Sequence, residues 1–119
     1  MAKEITVSAS LSFAKGLVTA KAMTLTGRFD VTGKNYVEGT QSIATDATAI
    51  DLAGITTAGW FAIRNMSTAN YVEILNATDG AVLLKLLPGE FAIGRFGCAA
   101  PAGKANTAAV DIEFLIVEA

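Results

Sequence analysis

Every second side chain from Ile5 to Phe13 is apolar. Ile5, Val7, Ala9, Leu11 and Phe13 alternate with Thr6, Ser8, Ser10 and Ser12, and a period of two puts the apolar set on one face of an extended strand. A helix would spread the same residues around its circumference. The segment therefore predicts a half-buried strand, and Lys15-Gly16 then predicts a turn. A second alternation follows, with Met23, Leu25, Phe29 and Val31 on one side and Thr24, Thr26, Arg28, Asp30 and Thr32 on the other. Gly27 interrupts the apolar row, which predicts a bulge or the close approach of another backbone.

The remaining chain is punctuated in the same manner. Thr32 to Asn35 reads as a turn, and weaker strand signals cover 36–43 and 47–52, split by Thr45-Asp46. Gly54 and Gly59 bracket a loop before a strand at 60–64, and a polar connection at 65–70 leads to a returning strand at 71–75. Thr78-Asp79-Gly80 predicts a hairpin turn in which glycine takes a positive φ. Strands are expected at 82–87, closed by Pro88-Gly89, at 90–96, and at 110–117 after a small-residue loop at 97–103. About eight strands with turn signals every 8 to 12 residues, and no capped helical period, predict an all-β single-domain β-sandwich. A jelly-roll-like sandwich over residues 1–119 is the expectation, with residues 1–14 as an assembly arm; an immunoglobulin-like sandwich is the alternative. Ser, Thr and Ala dominate residues 1–35. Trp60, Phe61, Tyr71, Leu83, Leu84, Leu86, Phe91, Phe96 and Phe114 place the principal core in the second half. The first half is expected to pair with that core or to extend onto a neighbouring subunit.

Composition bears on what covers these strands. Of 119 residues, 52% are apolar and 17% charged, against about 25% charged in ordinary soluble domains. Either a membrane or partner chains must cover the surplus. The longest apolar stretches, such as 52–63, carry Thr and Gly and run about a dozen residues, short of the roughly 20 that a spanning helix needs. A transmembrane barrel would need more strands than the chain comfortably supplies. Met1 to Glu4 leads straight into the alternating segment, which reads without a signal peptide. Partner burial is the better account, and no membrane is expected. The net charge is −2, and the nine basic residues (Lys3, Lys15, Lys21, Arg28, Lys34, Arg64, Lys85, Arg95, Lys104) form no run. No nucleic acid is expected as a partner.

Few residues could support catalysis. Histidine is absent, which removes the commonest general base and zinc ligand. The lone Cys98 excludes an internal disulfide, fits a reducing compartment at synthesis, and reads as a small buried hydrophobe, with Arg95 its only nearby cation. Glu73, Asp79, Glu90, Asp111 and Glu113 are available for a facing carboxylate pair, but Glu73, Asp111 and Glu113 alternate on strands, as a solvated face requires. No calcium loop appears, and the glycines at 54, 59, 89, 94, 97 and 103 match no phosphate-binding spacing. Asn65-Met-Ser and Asn76-Ala-Thr match the glycosylation pattern by chance; Asn65 and Asn70 are expected to cap a turn with their side-chain amides. Trp60 is expected to anchor a core or an interface, a sugar-stacking platform being the sharper reading. No catalytic residue, cofactor or metal is expected, and no enzyme activity.

The segments Gly54 to Trp60 (GITTAGW), Ile63 to Asn65 (IRN), Asn70 to Ile74 (NYVEI), Leu87 to Glu90 (LPGE) and Lys104 to Val110 (KANTAAV), in that order and spacing, resemble small virion structural proteins of tailed bacteriophages. The resemblance spans about residues 40–119; the first 40 residues carry no motif that aligns. It implies a particle component: a capsid decoration protein, a head-fibre base or a tail accessory protein. It names no catalytic residue. The implied location is the virion, assembled in the host bacterial cytoplasm, with the major capsid protein or other virion proteins as partners. A homo-oligomer is implied too, a trimer first. A particle subunit hides apolar surface in symmetric contacts. The residues expected at those contacts are Ile5, Val7, Leu11, Phe13, Trp60 and Tyr71. The alternative is a tail or head-fibre module that binds host glycan or receptor through Trp60, Tyr71 or Tyr36.

Overall fold

The structure is a computed structural model that describes residues 3–119, Val18 by its backbone alone. The chain divides between Thr32 and Gly33 into two compact units. Of residues 1–14, expected as an arm, Ile5 to Ala14 belong to one strand of a pair in the first unit.

That unit is a two-stranded antiparallel ribbon. Strand β1 (Ile5–Lys15) pairs with β2 (Val18–Phe29) from Ile5 opposite Phe29 to Leu11 opposite Met23 and Phe13 opposite Lys21. The two apolar rows therefore fall on one face, because both strands alternate in phase. The register shifts between Phe13 and Lys15, beside the turn. Gly27 does not mark a bulge: it pairs in register with Val7, and a Cβ there would sit 2.7 Å from the Phe29 ring. The close approach is a side chain two residues along the same face. The open end is laced by the Lys3 N–H donating to Asp30 Oδ1 (3.0 Å) and the Val31 N–H donating to Glu4 Oε1 (3.1 Å). The Val31 bond holds the exposed Glu4 carboxyl below its ordinary range.

The second unit, residues 33–119, contains β3 (Tyr36–Ile43), β4 (Thr48–Ala49), β5 (Ala58–Asn65), β6 (Val72–Leu75), β7 (Val82–Leu86), β8 (Phe91–Arg95), β9 (Ala102–Ala105) and β10 (Val110–Glu118). They form two four-stranded antiparallel sheets, ordered β3-β10-β5-β8 and β4-β9-β6-β7. Every connection except the β6–β7 hairpin crosses from one sheet to the other. That order is the jelly roll, and it sets aside the immunoglobulin-like alternative. No helix occurs among the described residues.

Alternation explains the core. In β10, Val110, Ile112, Phe114 and Ile116 are buried while Asp111, Glu113 and Leu115 are exposed. Phe61 and Ile63 of β5, Ile43 of β3, Val72 and Ile74 of β6, and Leu86 of β7 join them in one cluster. Phe61 and Phe96 stack with ring centroids 4.1 Å apart. The core lies in the second half, as the residue distribution predicts, but not all the expected residues are in it. Phe91 and Leu83 are exposed, and Trp60 and Tyr71 are half-buried, because each stands on the outward phase of its strand or just beside it.

Strand β9 runs through a stretch whose start reads as loop. Ala102, Gly103 and Ala105 are buried without large side chains, and a Cβ on Gly103 would come within 3.1 Å of Ile43. The strand holds small residues because Ile43 occupies the space above it. Gly80, too, departs from expectation: its φ is not among the positive ones. Glycine is needed there because a Cβ would collide with the Asn76 side-chain carbonyl, which accepts from the Ala81 N–H at 2.9 Å. A positive φ does occur at Gly89 (80°), after Pro88, where the Glu90 N–H donates to the Leu87 carbonyl at 2.9 Å. That is a type II turn.

Candidate functional site

The most exposed apolar surface belongs to the ribbon. Leu11 is 74% exposed and Met23 62%, and Phe13, Leu25 and Phe29 are exposed beside them; Ile5 and Val7 are half-buried. The strip runs about 27 Å along the strands and about 10 Å across them. It is unbroken by any charged side chain until Lys21, opposite Phe13 near the turn. The other face carries Thr6, Ser8, Ser10 and Ser12, opposite Arg28, Thr26, Thr24 and Ala22. Exposed apolar surface of a few hundred Å² or more marks an interaction site on soluble proteins.

A second apolar patch lies on the outer face of the β3-β10-β5-β8 sheet. Register aligns Glu38, Leu115, Ala62 and Ile93 across the four strands, and beside them Thr40, Glu113, Arg64 and Phe91. These rows line an open depression of roughly 530 Å³. Phe91 is 64% exposed, with the Arg64 guanidinium 6.0 Å from its ring centroid. Leu115, Ala62, Ile93 and Phe91 supply its apolar side chains, Glu113 and Arg64 pair across the two central strands, and Glu38 stands on the edge strand β3.

The structure distributes the expected interface residues over three surfaces. Ile5, Val7, Leu11 and Phe13 come together on the ribbon. Trp60 is half-buried on the outer phase of β5, opposite Arg95. Tyr71 adjoins β6 in the other sheet, with Lys85 Nζ 4.1 Å from its ring centroid. Trp60 and Tyr71 thus do not share a platform, whereas Tyr36 and Trp60 stand on one outer face, on either side of β10. Met23, Leu25 and Phe29 complete the ribbon face, and the period-two reading of β2 already points to them. Phe91, Ile93 and Leu115 were missed as surface residues; the outward phase of Arg95 and Glu113 on the same strands is the signal that finds them.

The chemistry-bearing groups are dispersed. Glu38 and Glu113 line the same depression from adjacent strands of one sheet, diagonal to each other on an open face. Glu73 stands in the other sheet between Lys85 and Lys104. Glu90 is occupied by its own turn, its Oε1 accepting from the Leu87 N–H at 2.8 Å. Cys98 packs half-buried against the core, and burial pushes its thiol above the ordinary range. Among the described residues, no three His, Cys, Asp or Glu side chains cluster as a metal site would need. No helix among them is long and apolar enough to cross a membrane. Asn65 caps its turn as expected, whereas the Asn70 side chain accepts instead from the Thr107 hydroxyl (2.8 Å). Asn65 is fully buried, donates to the carbonyls of Asn70 (2.9 Å) and Leu86 (3.0 Å), and accepts from the Ser67 N–H (2.8 Å).

No protein-family model matches the chain, and no curated protein or solved structure matches it either.

Proposed function

We propose that this chain is a structural subunit of a virus particle, a bacteriophage capsid decoration protein that assembles as a homo-oligomer on the particle surface and performs no catalysis. The observation that carries the reading is the ribbon, an 11-residue and a 12-residue strand in phase with their common apolar face in water. A two-stranded ribbon is marginal by itself and needs a further layer against its apolar face. The exposed band of Phe91, Ile93 and Leu115 adds a second surface of the same kind. By analogy, the jelly roll is an architecture common in viral capsid domains, and the motifs of residues 40–119 point the same way. In this reading the protein works as cement: many shallow apolar contacts join neighbouring subunits and resist pressure from within.

Purified protein mixed with undecorated particles should co-sediment with them at a saturating, symmetric copy number. Leu11→Asp and Leu115→Asp should each lower that number. Particles that pellet without the protein at any concentration would overturn the proposal.

A second reading, a fibre or tail module for host glycan, draws on Tyr36 and Trp60 sharing one outer face near Arg95. A glycan array decides it: this reading requires a signal that Trp60→Ala abolishes, and a blank array removes it.

A further inference from the structure

We infer that the ribbon's apolar face is covered by the same face of a second copy, with the two ribbons running tip to base about a two-fold axis through the Ala9/Leu25 row. The inference rests on the self-assembly part of the proposed function and adds the surface and its symmetry.

The face consists of five cross-strand rows: Ile5/Phe29, Val7/Gly27, Ala9/Leu25, Leu11/Met23 and Phe13/Lys21. Their sizes are not symmetric about the middle row. Val7/Gly27 on the base side is small, and Leu11/Met23 on the tip side is large. A face packs on its own copy only through a two-fold axis, and two orientations are open to it. If the axis runs along the strands, tip meets tip. Large rows then stack on large ones and leave a gap over small ones. If the axis runs across the strands, Val7/Gly27 of one copy meets Leu11/Met23 of the other, with Leu11 over the smaller Val7 and Met23 against the Phe29 ring that lies over Gly27. Ala9 and Leu25 meet their own counterparts on the axis.

Charge selects the same orientation. Between Ile5 and Phe29 the ribbon carries Lys15, Lys21 and Arg28 and no carboxylate, whereas Glu4 and Asp30 stand at the base beside Lys3 and Arg28. Tip-to-tip packing would bring Lys15 and Lys21 of both copies together. Tip-to-base packing sets that cationic end beside the other copy's Glu4 and Asp30, and lays Lys21 toward the Phe29 ring, where an ammonium group is attracted. Size and charge are independent properties of the sequence, and they agree.

The area sets the strength. One face of about 27 Å by 10 Å falls well below the roughly 800 Å² per partner of a standard stable interface. The pair is therefore weak in dilute solution and is reinforced where copies are held close together. The contact joins copies in twos, which departs from the three-fold arrangement expected from the sequence.

The test uses the full chain with Cys98→Ala and a spin label on Leu17→Cys; Leu17 lies in the turn between β1 and β2 and is wholly exposed. Leu17 is eight residues beyond Ala9, so tip-to-base pairing puts the two labels about 50 Å apart at a rise of about 3.3 Å per residue. Dipolar spectroscopy at several hundred micromolar protein should show that distance, and sedimentation should show a dimer. Leu25→Asp, on the axis, should lower association at least ten-fold while the circular dichroism of the chain stays unchanged. A label distance near 10 to 15 Å, a three-copy mass, a monomer at several hundred micromolar, or association unaffected by Leu25→Asp overturns the inference. Particle co-sedimentation is read separately: a dimer that ignores particles rejects the virion reading alone, and a protein that decorates particles but never pairs through the ribbon rejects this one alone.

Discussion

The side-chain amide of Asn65, the last residue of β5, ties the connection at 65–70 to the end of β7. Its two donors reach the carbonyls of Asn70 and Leu86, its oxygen takes the Ser67 N–H, and its own backbone N–H donates to Glu90. Asn65 is fully buried and its bond to the Leu86 carbonyl lies in the interior, so water does not replace that bond when it is lost. Asn65→Ala leaves two carbonyls and one N–H short of a partner, and should lower the unfolding free energy by about 2 to 4 kcal/mol, read from urea denaturation followed by Trp60 fluorescence. Cys98 makes the opposite point. Its thiol is held above the ordinary range by burial, so at neutral pH it carries less thiolate than a free cysteine, and only thiolate is nucleophilic. Alkylation of the folded protein should be several-fold slower than of the unfolded chain at pH 7.5. Its rate should keep rising at pH values where an exposed thiol has levelled off. Equal rates in the two states would place Cys98 outside the core.

At the scale of strands, glycines with similar sequence surroundings have different roles, and the structure separates them. A Cβ on Gly103 meets three carbons of Ile43 at 3.1 to 3.3 Å, while one on Gly39 meets nothing within 4 Å. Gly103→Ala should therefore cost about 1 to 2 kcal/mol through overpacking. Gly39→Ala should be neutral or stabilising by about 0.5 kcal/mol, since it removes unfolded-state freedom from a strand interior. Thermal melts of the two variants measured side by side check the contrast; equal losses would mean that β9 and Ile43 are not packed as described. The same two positions show how far strand reading goes. Where large and polar residues alternate, as in β1 and β10, the sequence names the strand and its buried face. Where β9 must be small because Ile43 lies above it, there is no alternation to read, and the strand shows only once its neighbour is placed. Gly27 reads as a bulge for the same reason: the Phe29 ring folding back over it is a contact within one strand, which spacing does not encode.

For the whole molecule, the division at Thr32 decides what the ribbon is for. The sequence indicates the apolar face of β1 and the lack of reactive groups, but not that β1 and β2 pair with each other in phase. That pairing turns two half-buried strands into one uncovered face. The core cluster, with the residues packed against it, draws only on residues 37–116, so stability and association should separate when the chain is cut. Residues 33–119 alone should keep a cooperative unfolding transition and a β-type circular dichroism spectrum. They should lie within about 1 kcal/mol of the full chain, because none of the ribbon's described apolar side chains is fully buried, and should no longer self-associate through it. Removing only residues 1–14 should behave worse than removing 1–32. It deletes one partner of the ribbon and leaves a 12-residue strand with an unpaired edge and an apolar row, the surface that recruits other chains into aggregates. Light scattering of the two truncations during refolding separates these outcomes. If the shorter deletion stays clear and the longer one fails to fold, the ribbon belongs to the jelly roll's own stability and assembly must be sought on the Phe91, Ile93 and Leu115 face.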